Sequence, residues 1–294
     1  MGPEQPSDDT LVGVSYIEYD MLEEPSATQA DPAALLSLAS SEDWKHHYEC
    51  LNLLRAINKH KRDYFLSQEV QALATFVKEQ VDSLRSNLGK CALMLVKEVF
   101  QAAASSKEPD SRLASFMRQV LPIVILKTVF EKHFIAIEAK KACDQCVLGG
   151  GNALPETVEA FVESCKQVKN LALAEQASAS LSELIKQMPA SFFTEASAPL
   201  TNMLCQAVSE VEGKRAKLKK AALHNLNIAR TKSGVPLEKT LMETAGLPED
   251  RAVNIVSQVE ESLKDNVKKV DKSRDFRSFL KQQKQAQSLP NDTL

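Results

Sequence analysis

The chain has 294 residues, of which 44% are hydrophobic, enough for one long repeat array or two compact domains. Its net charge of −3 gives no global field that calls for nucleic acid or an anionic membrane, so an electrostatic partner has to be met by a local patch. Gly (9), Pro (12) and aromatics (5%) are scarce, while Ala, Leu, Lys, Glu, Ser and Gln are plentiful; most of these lose little side-chain entropy in a helix, so an all-α protein is expected.

Residues 1–30 read as an acidic, largely disordered tail, with seven acidic residues, no Lys or Arg, and Pro3, Pro6 and Pro25. They lack the basic and apolar regions of a signal peptide, and no apolar run reaches the 18 residues of a membrane span, so an intracellular protein is expected. Gly2 is poorly placed for myristoylation, with Pro3 after it and Ser7 one residue late. One piece of the tail, residues 11–22, is apolar and β-prone and is expected to dock as a strand or short linear motif.

Asp31-Pro32 is a helix start, with Asp as N-cap and Pro at the first helical position. A short helix 32–39 ends at Ser40-Ser41-Glu42-Asp43, and the next runs to about His60 with Cys50, Leu53, Leu54 and Ile57 at helical spacing. A third helix from about Ser67 carries Val70, Leu73, Val77 and Val81. A polar element, Ser83-Leu84-Arg85-Ser86-Asn87, then leads into helix 88–104, whose apolar face holds Leu88, Cys91, Ala92, Leu95 and Val99. After a polar loop at 105–111, residues 112–130 are apolar on most sides and predict a buried helix that Pro122 should kink or break.

Another helix runs from about 134 to Leu148, closed by the linker Gly149-Gly150-Gly151-Asn152. Helices follow from Pro155 to about Val168, to about Met188 after Lys169-Asn170, over about 196–211, and over 216–230 after Glu212-Gly213-Lys214-Arg215. Residues 236–281 read as a terminal helical unit capping the array, and 282–294 as a disordered end. Helix 264–281 mixes lysines and arginines with aspartates and reads as a solvated face.

The breaks inside successive helix pairs fall near residues 43, 85, 132, 169 and 213, roughly the 40–47-residue period of HEAT-type repeats. One such pair cannot bury its apolar face alone, and stacking buries it. The expected architecture is therefore an α-solenoid of five to six HEAT-type helix pairs spanning 31–235 plus the terminal unit, with an irregular helical bundle as the alternative.

The six cysteines fall in helical patterns, mostly on apolar faces, where free Cys packs as a small hydrophobe. Cys143 and Cys146 form a C-x-x-C without a second pair or a suitably spaced His, so packing is expected there. The five His are scattered and none reads as a ligand, and neither a cofactor nor a metal is expected.

In a regular solenoid the equivalent turn of each repeat lies on the same edge. Five turns then carry the only Trp (Trp44, beside Lys45), then Arg85, Ser86 and Lys90, then Phe134, then Lys169, and last a basic run with Lys214, Arg215 and Lys217. Spaced roughly 10 Å apart by the helix diameter, they predict a linear site with an aromatic anchor at one end and a basic cluster at the other, suited to an acidic protein partner. The bland reading stands beside this one. Trp44 could pack between two helices, Arg85 could cap or pair with a neighbouring repeat, and 214–220 could be a solvated helix face.

Three stretches carry a family resemblance: 43–57 (DWKHHYECLNLLRAI), 77–100 (VKEQVDSLRSNLGKCALMLVKEVF) and 134–147 (FIAIEAKKACDQCV). Together they resemble a TOG domain, most like those of the crescerin family and next the CLASP family. The resemblance covers about 30–235, and its most specific parts are the Trp that opens the second helix and the Leu84-Arg85-Ser86 element. It implies a non-enzymatic module binding tubulin dimers or microtubules through the intra-repeat turns, in the cytoplasm and cytoskeleton, with a cilium or flagellum as one such setting. On this resemblance Trp44 inserts against tubulin, Arg85, Ser86 and Lys90 form the second turn's contact, Phe134 orders the third turn, and Lys214 and Arg215 supply the fifth turn's basic contact. The fourth turn, 169–174, lacks the basic residues often found there, and the fifth lacks the usual acidic-polar lead-in. The competing reading is a HEAT/armadillo-like scaffold that binds a non-tubulin protein through its concave face. An enzyme is not expected, because no nucleophile–base set, phosphate loop or metal set is present in the sequence.

Overall fold

The computed structural model describes residues 16–105, 111–148, 155–167, 169–195 and 197–264, the side chains of residues 68 and 69 excepted. The expectations for residues 1–15, most of the 105–111 loop, the 149–152 linker and everything beyond residue 264 lie outside the described residues.

The chain is an α-solenoid of HEAT-type helix pairs. Among the described residues the helices are α1 (Pro32–Ala39), α2 (Trp44–His60), α3 (Arg62–Phe65), α4 (Gln68–Gln71), α5 (Ala74–Val81), α6 (Ser86–Ala104), α7 (Ala114–Lys127) and α8 (His133–Leu148). Beyond them lie α9 (Pro155–Cys165), α10 (Leu171–Gln187), α11 (Ala190–Thr194), α12 (Ala198–Glu212), α13 (Ala216–Ser233), α14 (Leu237–Ala245) and α15, described over 249–264.

Two layers run the length of the array. In one, α5, α7, α9, α12 and α14 pack each on the next; in the other, α2, α6, α8, α10 and α13 do the same. Pairs α1/α2, α5/α6, α7/α8, α9/α10 and α12/α13 join the layers. The terminal helix α15 buries Ala252, Ile255 and Val259 and reaches α13 through Arg230 Nη1–Glu260 Oε1 at 3.7 Å.

Local chemistry sets the starts and stops. Asp31 accepts from the Ala33 and Ala34 N–H groups with Pro32 at the first helical position. Asp43, Asn170 and Ser197 accept from backbone N–H groups of α2, α10 and α12 in the same way. Two helices end on a left-handed glycine, Gly234 (φ 64°) and Gly246 (φ 67°), a conformation that costs a residue with a side chain far more.

Packing changes several local expectations. The helix expected from about Ser67 is broken into α4 and α5. Helix α7 continues through Pro122 with no turn there, because Pro122 lies on the exposed side where water can reach the carbonyl left without a partner. Helix α6 is buried on more than the face its periodicity marks, adding Leu93, Val96 and Phe100, because it is clamped between α2, α5 and α8. Cys143 and Cys146 are buried, and burial pushes the Cys146 thiol up to about 12, the opposite of a reactive pair. Cys205, by contrast, is exposed.

Residues 16–30, assigned to the tail by composition, lie along α2. Arg55 Nη2 donates to the Ile17 carbonyl (2.8 Å), Lys59 to those of Asp20 (2.9 Å) and Leu22 (3.0 Å), Lys61 to that of Pro25 (2.8 Å), and the Tyr64 hydroxyl to that of Ala30 (2.6 Å). Leu22 and Ala30 are buried beneath this strap. Its described part holds a single 3-10 turn, Tyr19–Met21, where a strand was one expectation. The reason lies in the partner: α2 offers side-chain donors along a helix stripe, not the edge of a sheet.

Candidate functional site

Helices α2, α6, α8, α10 and α13 pack in sequence, and each is the second helix of its pair, which puts their N-terminal ends on one edge. Contacts tie the neighbouring turns together there. The Arg85 guanidinium lies 5.6 Å from the Trp44 ring centroid, joining turns one and two. Lys132 Nζ donates to Ser86 Oγ at 2.7 Å, and buried Lys127 pairs with Asp82 at 2.8 Å, joining turns two and three. Lys217 pairs with Glu175 at 2.8 Å between repeats four and five, and Arg251 with Glu212 at 2.9 Å between five and six.

The residues singled out from sequence divide by environment. Trp44 is half-buried against the core, and its ring meets Arg85. Lys45, Arg85, Lys169, Lys214 and Lys217 are exposed, Ser86 and Arg215 are half-buried, and Phe134 is 45% exposed. Lys90 is turned to the strap, its ammonium 4.0 Å from the Tyr16 ring centroid, while the Tyr16 hydroxyl donates to Asn87 Oδ1 at 2.9 Å. Thus Trp44 and Arg85 are brought together, Ser86 meets Lys132, and Lys90 stands apart with Tyr16.

Sequence reasoning left out four apolar side chains on or near the turns. Leu84 is 95% exposed, and Phe130, Leu126 and Leu171 are also exposed. The signal for Leu84 was present: an apolar residue between Ser83 and Arg85, just outside the register of α6.

Two of the turns end in an unusual cap. Arg85 and Arg215 occupy the N-cap positions of α6 and α13 without a side-chain capping bond. Capping positions favour Ser, Thr, Asp or Asn, and the helix dipole favours an anion there. A cation at each raises the positive potential at turns two and five.

A groove of about 340 Å³ opens between repeats four and five, lined by Cys165, Lys166, Gln206, Glu210, Lys214 and Arg215 among others. Glu210 is 8% exposed and accepts from Gln206 Nε2 at 3.1 Å. Burial pushes its carboxyl up to about 7, against the hydrogen bond from Gln206 that pulls it down. Its ordinary value is near 4.5. The stability this group contributes is therefore fully present below about pH 4.5, declines as the pH rises and is lost above about pH 7. Glu210→Gln is expected to flatten that decline in urea denaturation followed from pH 5 to 8 by about the span of the shift. A decline of unchanged steepness in the variant would show that Glu210 does not titrate there.

No helix among the described residues is long and apolar enough to cross a membrane, and no group of three potential metal ligands occurs among them.

No family model matches the chain, and no curated protein matches it. Among solved structures it is similar to one described as "TOG-tubulin binding specificity promotes microtubule dynamics and mitotic spindle formation", at 14% identity over 71% of this chain and 80% of that one, with a TM-score of 0.49. It is similar to the TOG domain structure from C. elegans Zyg9 at 14% identity over 84% of this chain and 91% of that one, again with a TM-score of 0.49. A designed armadillo repeat protein in complex with a (KR)4 peptide aligns at 10% identity over 78% and 98%, with a TM-score of 0.37.

Proposed function

We propose that this chain is a non-enzymatic, TOG-type module that binds tubulin dimers or microtubules through the edge formed by its intra-repeat turns. The observation that carries the reading is the Trp44–Arg85 contact at the first junction of a row of turns whose first three and last two are tied by further contacts. The motif resemblance at 43–57, 77–100 and 134–147 supports it, as do the cationic N-caps at Arg85 and Arg215.

In this reading Trp44 and Phe134 are the apolar anchors. Lys45, Arg85, Ser86, Lys90, Lys169, Lys214, Arg215 and Lys217 are the polar contacts. Lys90 has to leave the Tyr16 ring to take part. The array of 31–235 is the binding unit, and the described part of the terminal unit, 236–264, caps it. By motif the chain resembles the TOG domains of the crescerin family and those of the CLASP family, which suggests a cytoskeletal setting such as a cilium, a flagellum or a cortical array.

The test is size-exclusion chromatography with unpolymerised tubulin and sedimentation with stabilised microtubules. Trp44→Glu is expected to abolish binding while the circular dichroism stays helical. Arg85→Glu, at an exposed position, is the companion that leaves the core intact. Co-sedimentation unchanged in both variants would put the site elsewhere.

A further inference from the structure

The groove between turns four and five combines two features. Its rim is cationic, with exposed Lys214 beside Arg215 on the turn into α13 and Lys166 at the end of α9. Lys166 is held by Glu163, while Lys214 carries its charge toward solvent. The wall is a carboxyl group: Glu210, more than nine-tenths buried, with Gln206 as its hydrogen-bond donor.

A charged Glu210 would repel an anion drawn in by Lys214 and Arg215. A protonated Glu210 offers the anion an O–H donor instead, and two carboxyl groups sharing one proton form a strong hydrogen bond. We infer that this groove receives a carboxylate side chain from an acidic peptide segment of the partner, with neutral Glu210 donating to it and Lys214 and Arg215 facing its charge.

Burial raises the Glu210 carboxyl to about 7, so part of the population carries the donor at neutral pH without a large cost. The groups facing it are Cys165 and Lys166 from α9, Ser178 from α10, Lys214 and Arg215 from the turn into α13, and Gln206 and Ser209 from its own helix. None of the groove-lining residues comes from α14. The inference rests on the loop-edge reading above, since it assigns the fifth turn's part of that edge, and it adds proton uptake on binding.

The test uses the full chain and a blocked hexaglutamate peptide, followed by fluorescence anisotropy at fixed salt from pH 6 to pH 8. Affinity is expected to fall about tenfold across that interval as Glu210 loses its proton. Glu210→Gln keeps a neutral donor and is expected to remove most of the fall. Lys214→Glu with Arg215→Glu is expected to abolish binding at both ends of the interval while circular dichroism stays helical. An unchanged pH profile in Glu210→Gln, or peptide binding that survives the double reversal, would overturn the assignment. So would a single-stranded oligonucleotide of equal charge that binds as well and ignores Glu210. The assay contains no tubulin. Peptide capture with tubulin binding indifferent to Trp44 and Arg85 would leave the groove standing and remove the tubulin reading; the reverse pattern would remove the groove alone.

Discussion

Arg55→Ala is expected to destabilise the protein by about 3–5 kcal/mol, the cost of leaving a buried charge without its partner. Arg55 is 0% exposed. Its Nε and Nη2 donate to Glu98 at 2.9 and 2.7 Å, Nη1 to Asn52 Oδ1 at 3.0 Å, and Nη2 also to the Ile17 carbonyl at 2.8 Å. Every one of those acceptors loses its donor in the variant, and Glu98, itself buried, is left charged between α2 and α6. The strap loses one of its anchors at the same time. Urea denaturation should show the midpoint falling.

The double variant Arg55→Met with Glu98→Leu should recover most of the loss, because a well-packed apolar pair can replace a buried ion pair at little cost. The mutant cycle then isolates the coupling between the two residues. A loss below about 1 kcal/mol in Arg55→Ala would mean that water reaches Glu98 and that the junction of repeats one and two is looser than its burial implies.

The second large effect is on binding, and it runs against stability. Arg85→Glu together with Arg215→Glu is expected to weaken tubulin binding by about a hundredfold or more, within the range for charged anchors of an interface. The same substitutions put anions at the N-terminal ends of α6 and α13, where the helix dipole favours them by about 0.3–1 kcal/mol each. Arg85 gives up its contact with the Trp44 ring, which at an exposed site is worth about 0.5–1 kcal/mol. In Arg85→Glu alone these two effects roughly cancel, so its melting temperature should hold, while in the double variant sedimentation with microtubules is lost. A variant that melts early would show the two arginines to be structural, and unchanged sedimentation would remove them from the interface.

How much of this was legible in the sequence follows from the range of each interaction. Breaks near 43, 85, 132, 169 and 213 fall within about three residues of the observed starts of α2, α6, α8, α10 and α13. Helix caps and apolar spacing act over three or four residues, so they can be read locally. The layered solenoid then follows, since each pair carries an apolar face that only another pair can cover. The row of turns on one edge follows from that repetition alone.

What the sequence could not supply is which polar groups meet across repeats. Arg55 and Glu98 are 43 positions apart in separate helices, and neither stands out in its own helical pattern. Composition alone assigns residues 16–30 to a tail. Their acidic side chains are not what hold them, and main-chain carbonyls, which no sequence pattern records, meet donors spread along α2. Lys90 reads as a free cation until Tyr16 is found over it. Glu210 is one acidic residue among many until the stacking of repeats four and five buries it beside Lys214 and Arg215. The sequence by itself determined the helices, their pairing and the edge on which the turns lie, because those depend on local periodicity. Only the tertiary structure decided which charges are buried, roofed or presented to a partner, because that depends on contacts roughly one repeat apart.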